Sequence, residues 1–543
     1  MYKSSFRAIV LLPLFVATLL PGIACAGDEA VSAALRSLLI PAITTGTPKK
    51  PAHAELLRVY SERQFAPLWQ SSGRREQLVA TLSALGSDGL NPENYQPSPS
   101  LAATDDPLQR AQHELLTTEL CLQALTHLQQ GRLDAERFGH FWRAPSLEKP
   151  ARPSPAEALG RLANDDIAAL FDQFRPQTKL YRSLREALVQ AEREMAKGEW
   201  PQISSGPTLK PGMNDPRVVE LRARLTASGH LAAKSGIATD MPPMENLRMD
   251  DLLVEAVRNF QRDHGLETDG AVGRGTLAAL NQSRHDRLTQ LRINLERARW
   301  IAAEQQRDHV LVDVAGYRLT YYRDATPVWS GRTQVGMPAR ETPELFSRIT
   351  HFTVNPTWTV PPTILKKDIV PKASTDPDYL ASRNIRVINR DGEEVDPATV
   401  DWNHTAGLTL RQDFGDGSAL GKVAIRFANP HAIYLHDTPN QRQFKRTERA
   451  FSSGCVRVED ALELVRLLIE NDGNTYQSRL DRALASGRTG NLNLPRPVPI
   501  IVAYLTAGPD EHGRITFRPD IYSRDAAMVQ AFEHTQQQDR KDF

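Results

Sequence analysis

Residues 433–458 read IYLHDTPNQRQFKRTERAFSSGCVRV, and the rest of the chain is organised around them. A short apolar strand ends in Tyr434-Leu435-His436-Asp437-Thr438, a polar and basic loop follows, and Ser452-Ser453-Gly454-Cys455-Val456-Arg457 closes the stretch. The thiol of Cys455 therefore sits in a tight Ser/Gly turn with a histidine a fixed distance behind it (455 − 436 = 19 positions). Those are the parts of a cysteine nucleophile and its base. Gly454 leaves the backbone beside the sulfur bare, so that a substrate carbonyl and the amides that would hold its oxyanion can approach. Taken singly, a cysteine before valine is an ordinary small buried residue and a lone histidine an ordinary polar one. The pair within its turn carries the signal.

Together, Tyr434-Leu435-His436-Asp437-Thr438 and Ser452-Ser453-Gly454-Cys455-Val456-Arg457 closely resemble the active-site signature of the L,D-transpeptidases, which cross-link bacterial peptidoglycan. Most of that family has His immediately before the Gly; here Ser453 stands there, a form similar to the large multi-domain branch of Gram-negative bacteria. The resemblance implies Cys455 as nucleophile, His436 as general acid/base, and an oxyanion or active-site loop of Ser453, Gly454 and Tyr434. It implies substrate contacts from Arg457, Trp358 and Asn355, the last two at the groove mouth. Asp437 is placed to orient His436, but the family often has Gly there, so a backbone carbonyl is the expected orienting group. If Cys455 lies just ahead of the helix-patterned residues 458–469, the helix N-terminus and His436 together favour a thiolate.

The implied reaction is acyl transfer from a tetrapeptide stem through a thioester, with loss of D-Ala and formation of a 3→3 cross-link to an acceptor stem. Carbapenem-type β-lactams are the implied covalent inhibitors, and other cell-wall synthesis proteins the implied associates. Water as acceptor would make the enzyme an L,D-carboxypeptidase, and a lipoprotein lysine would make it an anchoring enzyme. From another class, the chain would be a non-enzymatic wall-binding scaffold with an unused thiol. A papain-like order is excluded, because there the nucleophile precedes the base. The His and Cys residues show no zinc spacing, and no metal or cofactor is implied.

At 543 residues the chain exceeds the size at which a single core stops growing. Its charge is balanced (66 − 65 = +1), which gives no support to a nucleic-acid partner. Lys3 and Arg7 precede an apolar run over 8–20 and the small-residue site Ala24-Cys25-Ala26, the pattern of a signal peptide over 1–26 and a periplasmic destination. An uncleaved signal, or lipidation of Cys25, would leave the protein membrane-associated. Removal of the signal leaves Cys121, set in an apolar helical pattern, and Cys455, an unpaired thiol in an oxidising compartment.

The fold class expected is α+β and multi-domain. Residues 27–205 read as a helical scaffold; within them Phe65-Ala66-Pro67-Leu68-Trp69 and Asp88-Gly89-Leu90-Asn91-Pro92 resemble the N-terminal region of the same large enzymes. Over 206–285, Phe260-Gln261, Gly265-Leu266 and Asp269-Gly270-Ala271-Val272-Gly273 resemble a three-helix peptidoglycan-binding module whose first helix buries Val218, Val219, Leu221 and Leu225. A connecting helix lies within 286–308, and alternating strands begin a mostly β catalytic domain over 309–525. Tyr317-Arg318-Leu319, Val335-Gly336, Thr342-Pro343 and Asn355-Pro356-Thr357-Trp358 continue the resemblance. Residues 361–418 read as a polar insertion with a helix over 364–370 and no clear sheet pattern, which the resemblance implies caps the active-site groove, and 526–543 as an unstructured tail from Gln536.

Overall fold

The computed structural model describes residues 26–40, 51–96, 105–139, 142–145, 147, 152–162, 166–232, 247–376, 378–415, 417–470, 473–510 and 512–539. The signal-peptide expectation over 1–26 falls almost wholly outside them, as does most of the segment between Gly229 and Met249. No described helix is long and apolar enough to cross a membrane. The chain divides into two compact units, one formed by residues up to 80 with 95–123 and 153–170, the other by 81–94, 124–152 and 171–543. The scaffold expected over 27–205 is thus shared between them.

The smaller unit is helical and built around Glu114, which is buried. Its carboxylate accepts from the backbone N–H groups of Leu68 and Trp69 and from the Tyr60 hydroxyl, which is why Leu68-Trp69 can turn inward without orphaned donors. Cys121 lies in the same unit on the helix Pro107–Gln130, fully buried, with a thiol that burial pushes up in pKa and makes inert.

In the larger unit, the helix Arg284–Glu304 is the hub, buried on nearly every side. Leu288, Leu291 and Leu295 meet Tyr181, Leu184 and Leu188 of the helix Lys179–Met195, while Ile293, Trp300 and Ile301 meet the outer face of the sheet at Leu311, Phe346 and Ile501. Tyr181 and Arg185 of the same helix also meet Asp88, so residues 81–94 and 179–195 belong to the larger unit together. The three helices Arg217–Ala227, Asp251–Asp263 and Arg274–Leu280 close over Leu221, Leu225, Val257 and Phe260. Gln261 stitches their turn by donating to Asp269, Ala271 O and Thr276 and accepting from Gly270 N–H. Val219, expected inside, is exposed, because the stripe at 218, 221 and 225 already fills the inward face.

The main sheet runs in the order Leu345–Val354, Val423–Phe427, Leu435–His436, Val456–Val458, Thr326–Gly336, Arg318–Arg323, His309–Asp313, Gly490–Ala503. The last strand pairs back onto Leu345–Val354, so the eight form a closed ring. Alternation puts Val310, Val312, Leu319, Val335, Phe352, Ile425, Leu435 and Val456 in one core with Ala461, Leu464, Val465 and Leu468 of the helix Ala461–Ile469. Pro495, Pro497 and Pro499 stand at or beside the register break between Asn493 and Val498.

Two expectations are corrected here. The insertion is an ordered subdomain with a four-stranded sheet, Trp358–Thr359, Thr409–Gln412, Ile385–Ile388 and Glu394–Val395, over a core of Val360, Leu380, Val387 and Leu410. Strands of two to four residues are too short for alternation to stand out against a polar background. Its helix over 362–373 has π geometry at Leu365–Ile369, just ahead of Pro371, which cannot donate to a carbonyl one turn back. The presumed tail is instead the helix Asp525–Asp539, anchored by Met528, Val529 and Phe532 on the hub helix and by Asp525 paired with Arg297.

Candidate active site

Strand pairing closes the gap between the histidine and the thiol. Leu435–His436 and Val456–Val458 pair in parallel, with Leu435 opposite Val456 and His436 opposite Arg457. One step back, Tyr434 stands opposite Cys455, as the bond from Val456 N–H to Tyr434 O requires. Residues facing each other across a pair share a face. Leu435 and Val456 point into the core, and Tyr434, His436, Cys455 and Arg457 therefore share the other side. The neighbouring strand Val423–Phe427 pairs Ala424 with His436, which brings Arg426 beside Tyr434, its guanidinium carbon 4.0 Å from the ring centroid. Across three strands lies the row Arg426, Tyr434, Cys455; alongside it lies Ala424, His436, Arg457 and Gln334.

His436 is buried, and its Nδ1 lies 2.6 Å from the carbonyl oxygen of Asp437. A carbonyl only accepts, so Nδ1 carries the proton and Nε2 keeps its lone pair. Burial, reinforced by the charges of Arg457 and Arg426, pushes the imidazole pKa down to about 3. The Asp437 carboxylate accepts from the N–H groups of Lys422 and Thr438 and from Gln441; it shapes the turn and stands outside the His436 pairing.

Burial raises the Cys455 thiol, while hydrogen bonding to Tyr434 and the charges of Arg426 and Arg457 pull it back only in part. The expected thiolate is corrected on two counts. The imidazole beside it is neutral, and the chain after Cys455 is the strand Val456–Val458, with the helix starting only at Ala461. The resting pair is a neutral thiol and a neutral base. Arg457 Nη1 donates to Gln334 Oε1, and among the described residues neither Arg457 nor Arg426 has a carboxylate partner. Two uncompensated guanidinium groups thus flank the sulfur.

Gly454 adopts φ +110°, a conformation that strains any residue with a Cβ. Its carbonyl accepts from Thr342 Oγ1 (2.8 Å), which itself accepts from Gly336 N–H (2.9 Å), and its own N–H donates to Ser452 Oγ (3.1 Å). The Gly454 amide, expected to face an oxyanion, is therefore engaged within the turn. Ser453 Oγ accepts from Arg340.

Residues 307–476 match the family described as the L,D-transpeptidase catalytic domain, and the two facing rows fall inside that span. That stretch is thus similar to an L,D-transpeptidase catalytic domain. Residues 54–188 match a scaffold domain, and residues 214–280 match a family described as "Putative peptidoglycan binding domain". A curated relative from Haemophilus influenzae, named "Putative L,D-transpeptidase", is 37% identical over 247 residues, 45% of this chain and 50% of that protein. The match thus spans half the length of that relative. Among solved structures, an L,D-transpeptidase from Mycobacterium smegmatis aligns at 13% identity over 36% of this chain and 58% of its own (TM-score 0.16). One from Xylanimonas cellulosilytica aligns at 15% identity over 55% and 98% (TM-score 0.17). The Ldtfm-avibactam carbamoyl enzyme aligns at 10% identity over 58% and 98% (TM-score 0.19).

Two residues suggested for substrate contact have structural partners of their own. Asn355 is only 1% exposed, has φ +48°, and spends its side-chain N–H groups on the carbonyls of Ala483, Leu484 and Arg488. The Ala483 and Leu484 carbonyls end the helix Asn474–Ala485 and need donors, so Asn355 is a structural clasp. Trp358 pairs with Gln412 in the small sheet of the insertion and packs in that core. Sequence reading missed Arg426, whose one signal was a charge inside the apolar run Val423-Ala424-Ile425-Arg426-Phe427. It also missed Arg340, between the quoted Val335-Gly336 and Thr342-Pro343.

Proposed function

We propose that this protein is a cysteine L,D-transpeptidase that forms 3→3 cross-links between peptidoglycan stem peptides. The observation that carries the reading is the shared face: a neutral His436 with its Nδ1 proton fixed on a carbonyl, beside the row that holds Cys455. Nε2 takes the Sγ proton as sulfur attacks the carbonyl of meso-diaminopimelate at the third position of a donor tetrapeptide. The imidazolium returns that proton to the departing D-Ala nitrogen, leaving a thioester. An amine of an acceptor stem then attacks, gives a proton to His436, and releases Cys455 as the new amide forms.

The Cys455 amide is the turn's own candidate for the oxyanion, since Gly454 N–H is engaged with Ser452. Arg457 and Arg426, without acid partners among the described residues, supply the positive field that an anionic stem peptide needs. The insertion over 361–418 would limit water at the thioester stage, and the module at 214–280 would hold the enzyme to the wall, in a periplasmic setting. Mature protein incubated with purified tetrapeptide muropeptides is expected to yield a cross-linked dimer and free D-Ala by mass spectrometry. A shortened monomer would instead mean hydrolysis. Unchanged substrate, with no carbapenem adduct on Cys455, would leave only a wall-binding scaffold.

A further inference from the structure

Arg340 stands on the turn between Gly336 and Thr342, and Thr342 fastens that turn to Gly454. A Cβ on Gly336 would collide with the Arg340 carbonyl, so the turn is tight and its guanidinium is aimed rather than free. Nη1 and Nη2 meet the two carboxylate oxygens of Asp368 at 2.5 and 2.8 Å, while Nη1 also donates to Ser453 Oγ at 2.7 Å. This is the two-pronged geometry by which arginine selects carboxylates. The fork belongs to the catalytic ring, two positions from the nucleophile (455 − 453 = 2) through Ser453. The acid that fills it belongs to the inserted subdomain, on the π-turn Leu365–Ile369.

The guanidinium side chain is 14% exposed, and that of Asp368 is 36% exposed. Lys367 and Lys372 also act on Asp368, so the carboxylate lies in a cationic mouth where a second anion would be welcome. A donor tetrapeptide ends in a free carboxylate one residue beyond the carbonyl under attack. We propose that Arg340 is the binding residue for the terminal carboxylate of the donor peptide, and that Asp368 occupies its fork until a donor displaces it. The proposal rests on the acyl-transfer reading of Cys455. It supplies a reason for the enzyme to measure chain length: a peptide longer by one residue, or capped at its end, presents no carboxylate at the right distance.

The test is equilibrium binding by calorimetry in the Cys455→Ala protein, with a tetrapeptide stem and its C-terminal amide as probes, so that turnover is not needed. The unmodified fork is expected to prefer the acid over the amide by roughly tenfold to a hundredfold. Arg340→Gln should erase the preference by weakening the acid alone, and Arg340→Lys should restore part of it. Asp368→Asn should tighten acid binding several-fold. Equal affinities in the parent, an equal loss for both probes in Arg340→Gln, or weaker acid binding in Asp368→Asn would each overturn the proposal and leave the pair as a fastener of the insertion. Absence of cross-linked dimer in the muropeptide assay, with the acid preference intact, would fail the transpeptidase reading and leave this carboxylate site standing.

Discussion

The resting state of the thiol yields a sharp kinetic prediction. Burial sets Cys455 above the ordinary thiol value of 9.0 and His436 far below 6.5, so neither group is ionised near neutrality. A thiol at or above that value is at most about 1% thiolate at pH 7. Alkylation by iodoacetamide, which consumes thiolate, should therefore climb about tenfold per pH unit between pH 7 and 9. The readout is adduct at Cys455 by peptide mapping, which separates it from the buried Cys121. In His436→Asn the alkylation profile should change little, because the imidazole does not hold an anion in place. Transfer from a donor peptide should fall by about 10²–10⁴, the usual contribution of a general base. A rate already on its plateau at pH 7, falling steeply in His436→Asn, would refute the neutral pair and restore an ion pair.

Three further outcomes follow from the same geometry. His436 has a pKa pushed down to about 3 against an ordinary 6.5, so its neutral burial stabilises the fold above about pH 6.5, and that contribution is lost as pH falls toward 3. His436→Asn should flatten the acid side of the unfolding profile by about 1 kcal/mol per pH unit between pH 6 and 4, and equal slopes would contradict it. Thr342→Val leaves the buried Gly336 N–H and Gly454 C=O without their partner; a loss of about 2–4 kcal/mol in denaturant unfolding is expected, together with slower acylation of Cys455. Asn355→Ala should lower the thermal midpoint by removing the clasp on the helix Asn474–Ala485, with acylation per folded molecule changed less than threefold, a split that a groove-lining role would not produce.

The approach of His436 to Cys455 was legible because one loop and one parallel pairing join them, and residue types plus spacing survive in a linear reading. Arg426 was not, since its place beside Tyr434 exists only once Val423–Phe427 lies against Leu435–His436. The partners of Asn355 were hidden for a related reason: it sits in a run that suggests a groove, while they lie 128 and more positions later. The thiolate expectation failed because helical periodicity in 458–469 does not reveal that three residues of strand come first. The small sheet of the insertion escaped because its strands are short and its apolar positions are scattered among charges.

The closure of the strand ring ties its completion to the last part of the chain. Ile500 pairs with Val310, a separation of 190 positions (500 − 310), and the same strand also seals Leu345–Val354. Until Gly490–Ala503 has paired, the strand that bears Val456 and its neighbours form an open sheet with two unpaired margins. A truncated chain ending before Gly490 thus has Cys455 but no finished wall behind it, and its exposed margins invite association with other chains.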